Sequence, residues 1–142
     1  MMRVWALPVL MLVSGSLLAV SLAVRGSGGG AVVLWLGCWL MAWVYSPLVF
    51  PKSLGAEEAR RRSALDGWPV VYWRPGCKYC LRLRLLLGRG ARRAHWVDIW
   101  RDPAGAAVVR AANGGDETVP TVVVAGQPHV NPDPAWVRAR LG

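Results

Sequence analysis

Apolar and polar positions divide this chain into two unlike parts. Residues 4–24, VWALPVLMLVSGSLLAVSLAV, are twenty-one positions without a charge, and residues 31–50, AVVLWLGCWLMAWVYSPLVF, are twenty more. About 20 such residues cross a hydrocarbon core of roughly 30 Å as a helix. Arg25 and the run GSGGG between them read as a turn with almost no side chains. Residues 1–50 are therefore expected to form a transmembrane hairpin, with spans at about 4–24 and 31–50. A cleavable signal peptide competes for the first span, because Arg3 precedes it and Ser21-x-Ala23 could be cut. Such segments usually carry shorter apolar runs of about 7–15 residues. Arg3 lies before the first span, Lys52 and Arg60–Arg62 follow the second, and only Arg25 lies between. Positive charge is retained on the cytoplasmic side, so both ends are expected in the cytoplasm, in a multi-pass protein of the cell membrane. Loss of the first span as a signal would leave the C-terminal part on that same side. Gly15, Ala19 and Ala23 recur every four residues, as do Trp35, Trp39 and Trp43. The first set suits a helix–helix partner within the bilayer; the second reads equally as interfacial aromatics.

Residues 51–67, PKSLGAEEARRRSALDG, read as a polar linker with a helical core at about 56–65, where Glu57 and Glu58 precede Arg60–Arg62 at helical pair spacing. From Trp68 the pattern is that of a folded domain, residues 68–142. An apolar β-rich run at 68–73 predicts a strand. A leucine-rich stretch at 78–88, closed by Gly88, predicts a helix. A second strand is expected at 94–99, and Asp102-Pro103 opens a helix to about Ala112. A third strand at 118–125 contains Pro120, where a proline belongs only at an edge or a break. Gly126-Gln127 reads as a turn and His129-Val130 as a short fourth strand, after which Asn131-Pro132 should cap a last helix to Leu141. The order βαβαββα describes an α/β domain, one mixed sheet with helices on both faces.

Charge and cysteines narrow what this domain can do. The net charge of +9 splits as +4 over residues 1–65 and +5 over residues 66–142. So basic a chain suits an anionic membrane, whereas no basic–aromatic motif for nucleic acid is present. Of the three cysteines, Cys38 lies in the second apolar run and reads as a small buried hydrophobe. Cys77 and Cys80 form a Cys-x-x-Cys where the first strand breaks at Pro75-Gly76 and the first helix begins. A sulfur there is stabilised as thiolate by the helix's unpaired N–H groups, with Arg74, Lys78 and Arg82 adding positive charge. A structural zinc site needs four ligands, and only His95 and His129 remain nearby at unsuitable spacing, so no metal is expected.

The redox pair with Tyr79 and Arg82, Val97-Asp98-Ile99, Asp102-Pro103, Asn113-Gly114-Gly115, Thr118-Val119-Pro120-Thr121 and Asn131-Pro132 together resemble the glutaredoxins of the thioredoxin superfamily, most closely the mycoredoxins. The likeness spans about residues 68–141. It implies a thioredoxin-like fold, a cis Pro120, and an oxidoreductase that reduces mixed disulfides on proteins without a bound cofactor. Its co-substrate would be a low-molecular-weight thiol, mycothiol or glutathione. Cys77 would be the nucleophile and Cys80 the resolving thiol. Tyr79 would line the thiol-ligand groove, and Val119 would offer it main-chain hydrogen bonds. Arg74 and the helix start at Asn131 could hold its anionic parts. Two departures stand out: Pro75-Gly76 ahead of the pair, and Lys78 where proline or glycine is common. Added positive charge favours the reduced pair and predicts a more oxidising disulfide. Two other readings remain: a thioredoxin-like dithiol reductase or oxidase, and an iron–sulfur-binding glutaredoxin module.

Overall fold

A computed structural model describes residues 2–142 as two compact units, Met1–Val49 and Phe50–Gly142. In the first, α1 (Met2–Val24) and α2 (Gly28–Val44) form a helical hairpin. Trp5–Val24 is long and apolar enough to cross a membrane; among the described residues it alone meets that length. Only 17% of its apolar window is buried. The second helix is shorter than the expected 31–50. It takes Gly28–Gly30 into its first turn rather than leaving them as a loop, and it ends at Val44. The chain then tightens into a 3-10 turn, Pro47–Val49, where the residue before a proline resists the α conformation. Close packing within the hairpin centres on Gly15, where a Cβ would lie 2.5 Å from that of Cys38. Ala19 is buried beside it, but Ala23 is exposed and leaves the expected face. Trp35, Trp39 and Trp43 all stand exposed.

The second unit is a four-stranded sheet in the order β2-β1-β3-β4. β1 is Val70–Trp73, β2 is His95–Asp98, β3 is Thr121–Val124 and β4 is Gln127–Val130. β1 pairs parallel with β2 and antiparallel with β3, and β3 antiparallel with β4. This is a mixed α/β domain of thioredoxin-like kind. Side chains alternate across it. Val70 and Tyr72 face α3 (Ala56–Asp66) and α5 (Pro103–Ala112), and Val71 and Trp73 face the other way. On that second side lies α4 (Lys78–Leu87), which buries Cys80, Leu83 and Leu87 along one stripe. The core joins Trp96, Tyr72, Leu83 and the buried valines of β1, β2, β3 and α5.

Residues 51–67, expected as a polar linker, pack against the sheet as part of the second unit. Phe50 stacks on Trp73, ring centroids 3.8 Å apart. The Leu54 N–H donates to the Trp96 carbonyl at 2.8 Å, and the Asp98 N–H donates to the Ser53 hydroxyl at 2.7 Å, so this segment covers the β2 edge. α3 then buries Ala56 and Ala59 in the core. Asp102 ties it down: one carboxylate oxygen accepts from Gly105 N–H as the cap of α5, the other from Ala56 N–H at 2.5 Å. His95 is buried and paired with Asp66, Nε2 to Oδ2 2.9 Å. β3 starts at Thr121 rather than 118, because Pro120 has no N–H for the ladder. The hairpin turn falls at Ala125 and Gly126, both with positive φ, one residue earlier than expected, so Gln127 already belongs to β4. The last helix, α6 (Pro134–Arg138), is capped by Asp133 rather than Asn131.

Candidate active site

The site is built where β1 hands over to α4. Gly76 takes φ +77°, a conformation that L side chains resist, and turns the chain out of the sheet. Cys77 becomes the N-cap of α4, at extended φ and ψ. Its sulfur thereby sits among unpaired helix N–H groups and accepts from Cys80 N–H at 3.2 Å. Cys80, one turn on, is fully buried, and its Sγ lies 2.7 Å from that of Cys77. Both thiols are free. The Cys77 sulfur lies 3.4 Å from the Val119 carbonyl, to which it donates only when protonated, and the Val119–Pro120 peptide is cis.

These contacts separate the two sulfurs chemically. The S–H of Cys80, donated to the Cys77 sulfur, is the largest influence lowering the Cys77 pKa; burial opposes it, and the N–H groups of Cys80 and Tyr79 and the charge of Arg74 add to it. The result is a Cys77 pKa of about 6. Burial pushes the Cys80 thiol far up, as does the neighbouring Cys77 anion. Near neutral pH the pair thus holds one thiolate and one thiol, with the thiolate the more accessible. Of the cations expected to act, Arg74 does so; the Lys78 ammonium instead sits over the Tyr79 ring, 5.0 Å from its centroid.

A cleft of about 230 Å³ opens beside the pair. It brings together Tyr79, Pro120 and Asn131, and adds Arg82 and Asp133. Val119 is buried next to it, and its N–H has no partner among the described residues. Asn131 reaches the cleft through the loop after β4, at φ +44°, with its N–H given to the Pro120 carbonyl at 2.7 Å. It does not open a helix, so an anion-holding helix start at Asn131 is replaced by a loop contact. Arg74 does not line this cleft and acts on the cysteines through its charge. Asp133 escaped sequence reasoning because Asn131-Pro132 and Asp133-Pro134 carry the same capping signal two residues apart.

The family model for glutaredoxin matches residues 70–130. Two Mycobacterium tuberculosis proteins, from strains CDC 1551 and H37Rv and each named "Putative glutaredoxin", are 40% identical to this chain over 73 residues. That span is 51% of this chain and 87% of each relative. The chain belongs to the glutaredoxin family. No solved structure matches it. Membership assigns this glutaredoxin a thiol–disulfide oxidoreductase chemistry, with protein disulfides and a small thiol as the kinds of substrate its family handles. The likeness is confined to about half of the chain, which the redox unit accounts for.

Proposed function

We propose that this glutaredoxin is a membrane-tethered enzyme that reduces mixed disulfides between proteins and mycothiol. Cys77 thiolate attacks the small-thiol sulfur of the mixed disulfide and breaks the S–S bond. The protein leaves as a thiolate, and Cys77 carries the small thiol. Release follows in one of two ways. A second mycothiol thiolate attacks that sulfur, giving oxidised mycothiol and the free Cys77 thiolate. Alternatively Cys80, once deprotonated, attacks Cys77, closing the internal disulfide and freeing the small thiol. The observation that carries the reading is the asymmetry of the pair: a capped, accessible Cys77 with a pKa of about 6 against a buried, protonated Cys80. Because Cys80 is buried, it meets only a disulfide already formed at Cys77. The cleft of Tyr79, Pro120 and Asn131, with the Val119 N–H beside it, would hold the small thiol.

The tether rests on Trp5–Val24 and on the placement of cations along the chain. α2, at 17 residues and about 26 Å, is near the lower limit of a span. Two spans with the redox domain in the cytoplasm are the arrangement we propose, and the spans confine the enzyme to disulfides near the bilayer. Turnover of a mycothiol mixed disulfide against the glutathione equivalent, for wild type, Cys77→Ser and Cys80→Ser, tests the chemistry. We expect faster turnover with mycothiol, and no turnover by Cys77→Ser. Retained activity in Cys80→Ser identifies the single-cysteine route, and activity surviving in Cys77→Ser refutes the assignment. Labelling of introduced cysteines by an impermeant reagent in intact cells tests the orientation.

A further inference from the structure

A second cavity in the redox unit lies away from the cysteines. It lies on the other face of the sheet, where α3 and α5 stand apart over β1 and the β3–β4 hairpin. Its volume of about 680 Å³ falls within the usual range of small-molecule sites, roughly 300–1,000 Å³. Valines from β1, β3 and α5 make the walls, and short side chains such as Ala112 leave the room. Three polar groups line it. The Ser63 hydroxyl is already given to the Trp68 carbonyl at 2.6 Å. Tyr72 is only 1% exposed, yet its phenol makes no hydrogen bond among the described residues. Arg60 makes no ion pair among the described residues, although its neighbours Arg61 and Arg62 both hold Glu58. No carboxylate side chain lines the cavity. Burial raises the Tyr72 pKa above the ordinary tyrosine value; the Arg60 charge opposes that rise and the Asp102 charge adds to it.

Tyr72 thus brings to the wall of the cavity a hydroxyl with no protein acceptor among the described residues. Beside it are a free guanidinium and an apolar wall. What complements all three is an acceptor-only anion attached to an apolar chain. We infer that this cavity binds an amphiphile with a single alkyl chain and a terminal carboxylate. The carboxylate accepts from the Tyr72 hydroxyl and from Arg60, and the chain lies against Val108, Ala112, Val123 and Pro128. The binding is non-covalent and separate from Cys77, which sits beyond the opposite face of the sheet.

The probe is decanoate carrying a photoreactive diazirine at its far end, added to the full chain in nanodiscs of zwitterionic lipid. Photolabelled peptides are then located by mass spectrometry. Label is expected on residues 108–112 and 123–128. Unlabelled decanoate should displace it about fifteen-fold more effectively than octanoate, since each buried methylene is worth about fourfold in affinity. Arg60→Gln should weaken decanoate labelling about tenfold, the loss of one charge-assisted hydrogen bond, and leave labelling by the matching decanol probe unchanged. Ala112→Phe should abolish both. Thermal melting checks that each variant folds, and Arg60→Gln, an exposed position, decides if Ala112→Phe does not. Label confined to residues 1–49, indifference to Arg60→Gln, or a cross-linked dimer in place of the adduct overturns the inference.

Discussion

If the Cys80 S–H is the main support of the Cys77 thiolate, removing it should move the Cys77 titration by a calculable amount. The perturbation is Cys80→Ala, which deletes the 2.7 Å donor and leaves the backbone N–H donors and Arg74 in place. A hydrogen bond to a charged group is worth about 1.5–3 kcal/mol, and 1.36 kcal/mol moves a pKa by one. The Cys77 midpoint should therefore rise from about 6 to between about 7 and 8. Two effects on reactivity then oppose each other. For a midpoint near 7.5, the thiolate population at pH 5 falls about thirty-fold, while the more basic thiolate is about fivefold more nucleophilic at a Brønsted slope of about 0.45. The variant should react with iodoacetamide about sixfold more slowly at pH 5 and about fivefold faster at pH 9, so the two profiles cross. Thiolate absorbance near 240 nm gives the midpoints directly, and Cys80→Ser, which restores a donor, should fall between wild type and Cys80→Ala. A midpoint that stays near 6 in both variants would refute the reasoning and leave the helix N–H groups as the cause.

The same pKa sets a stability profile. Cys77 titrates lower in the folded chain, at about 6, than as a free cysteine at about 8.5. The reduced protein should be fully stabilised above pH about 8.5 and lose that increment as pH falls towards 6, a trend absent from Cys77→Ser in melts across that window. Asp102→Ala removes caps from two helices at once and should cost about 2–3 kcal/mol in denaturant titrations. Burial raises the Asp102 pKa, but the N–H groups of Gly105, Ala56 and Ala104 outweigh it and hold the carboxyl below its ordinary value. Its contribution should thus vanish only in acid, as pH falls through and below the usual carboxylate range. Gly105→Ala would bring a Cβ to 2.8 Å from Val97 Cγ1 and should destabilise by about 1–3 kcal/mol. Lys78→Pro should lower the reduction potential in a redox titration; an unchanged value would show that the ammonium over Tyr79 has no hold on the pair.

The redox centre was the most legible part of the chain, because its residues announce themselves by chemistry. Cysteines separated by two residues at a strand break and a proline inside a β-branched run leave few alternatives, and Cys77, Cys80 and Pro120 do come together. Segment 50–55 was illegible for the opposite reason. Leu54 binds the sheet through its backbone and Ser53 through one hydroxyl, and neither leaves a period in the sequence. Asn131-Pro132 misled because capping chemistry is local, whereas the choice of cap was made by a distant contact, Asn131 N–H to Pro120. The glycines at 28–30 misled in a similar way. Their composition reads as a turn, but an adjoining apolar helix can extend through them.

The stretch that leads into the redox unit is also its hem. Because Ser53 and Leu54 occupy the β2 margin and Phe50 roofs Trp73, the smallest self-sufficient piece of this protein should begin near residue 50 rather than at residue 68. A fragment starting at Trp68 would carry a bare strand margin and an uncovered indole, and should self-associate through them. A fragment starting at Phe50 should stay monodisperse in sedimentation, leaving only the proline-bearing β4 margin open to solvent.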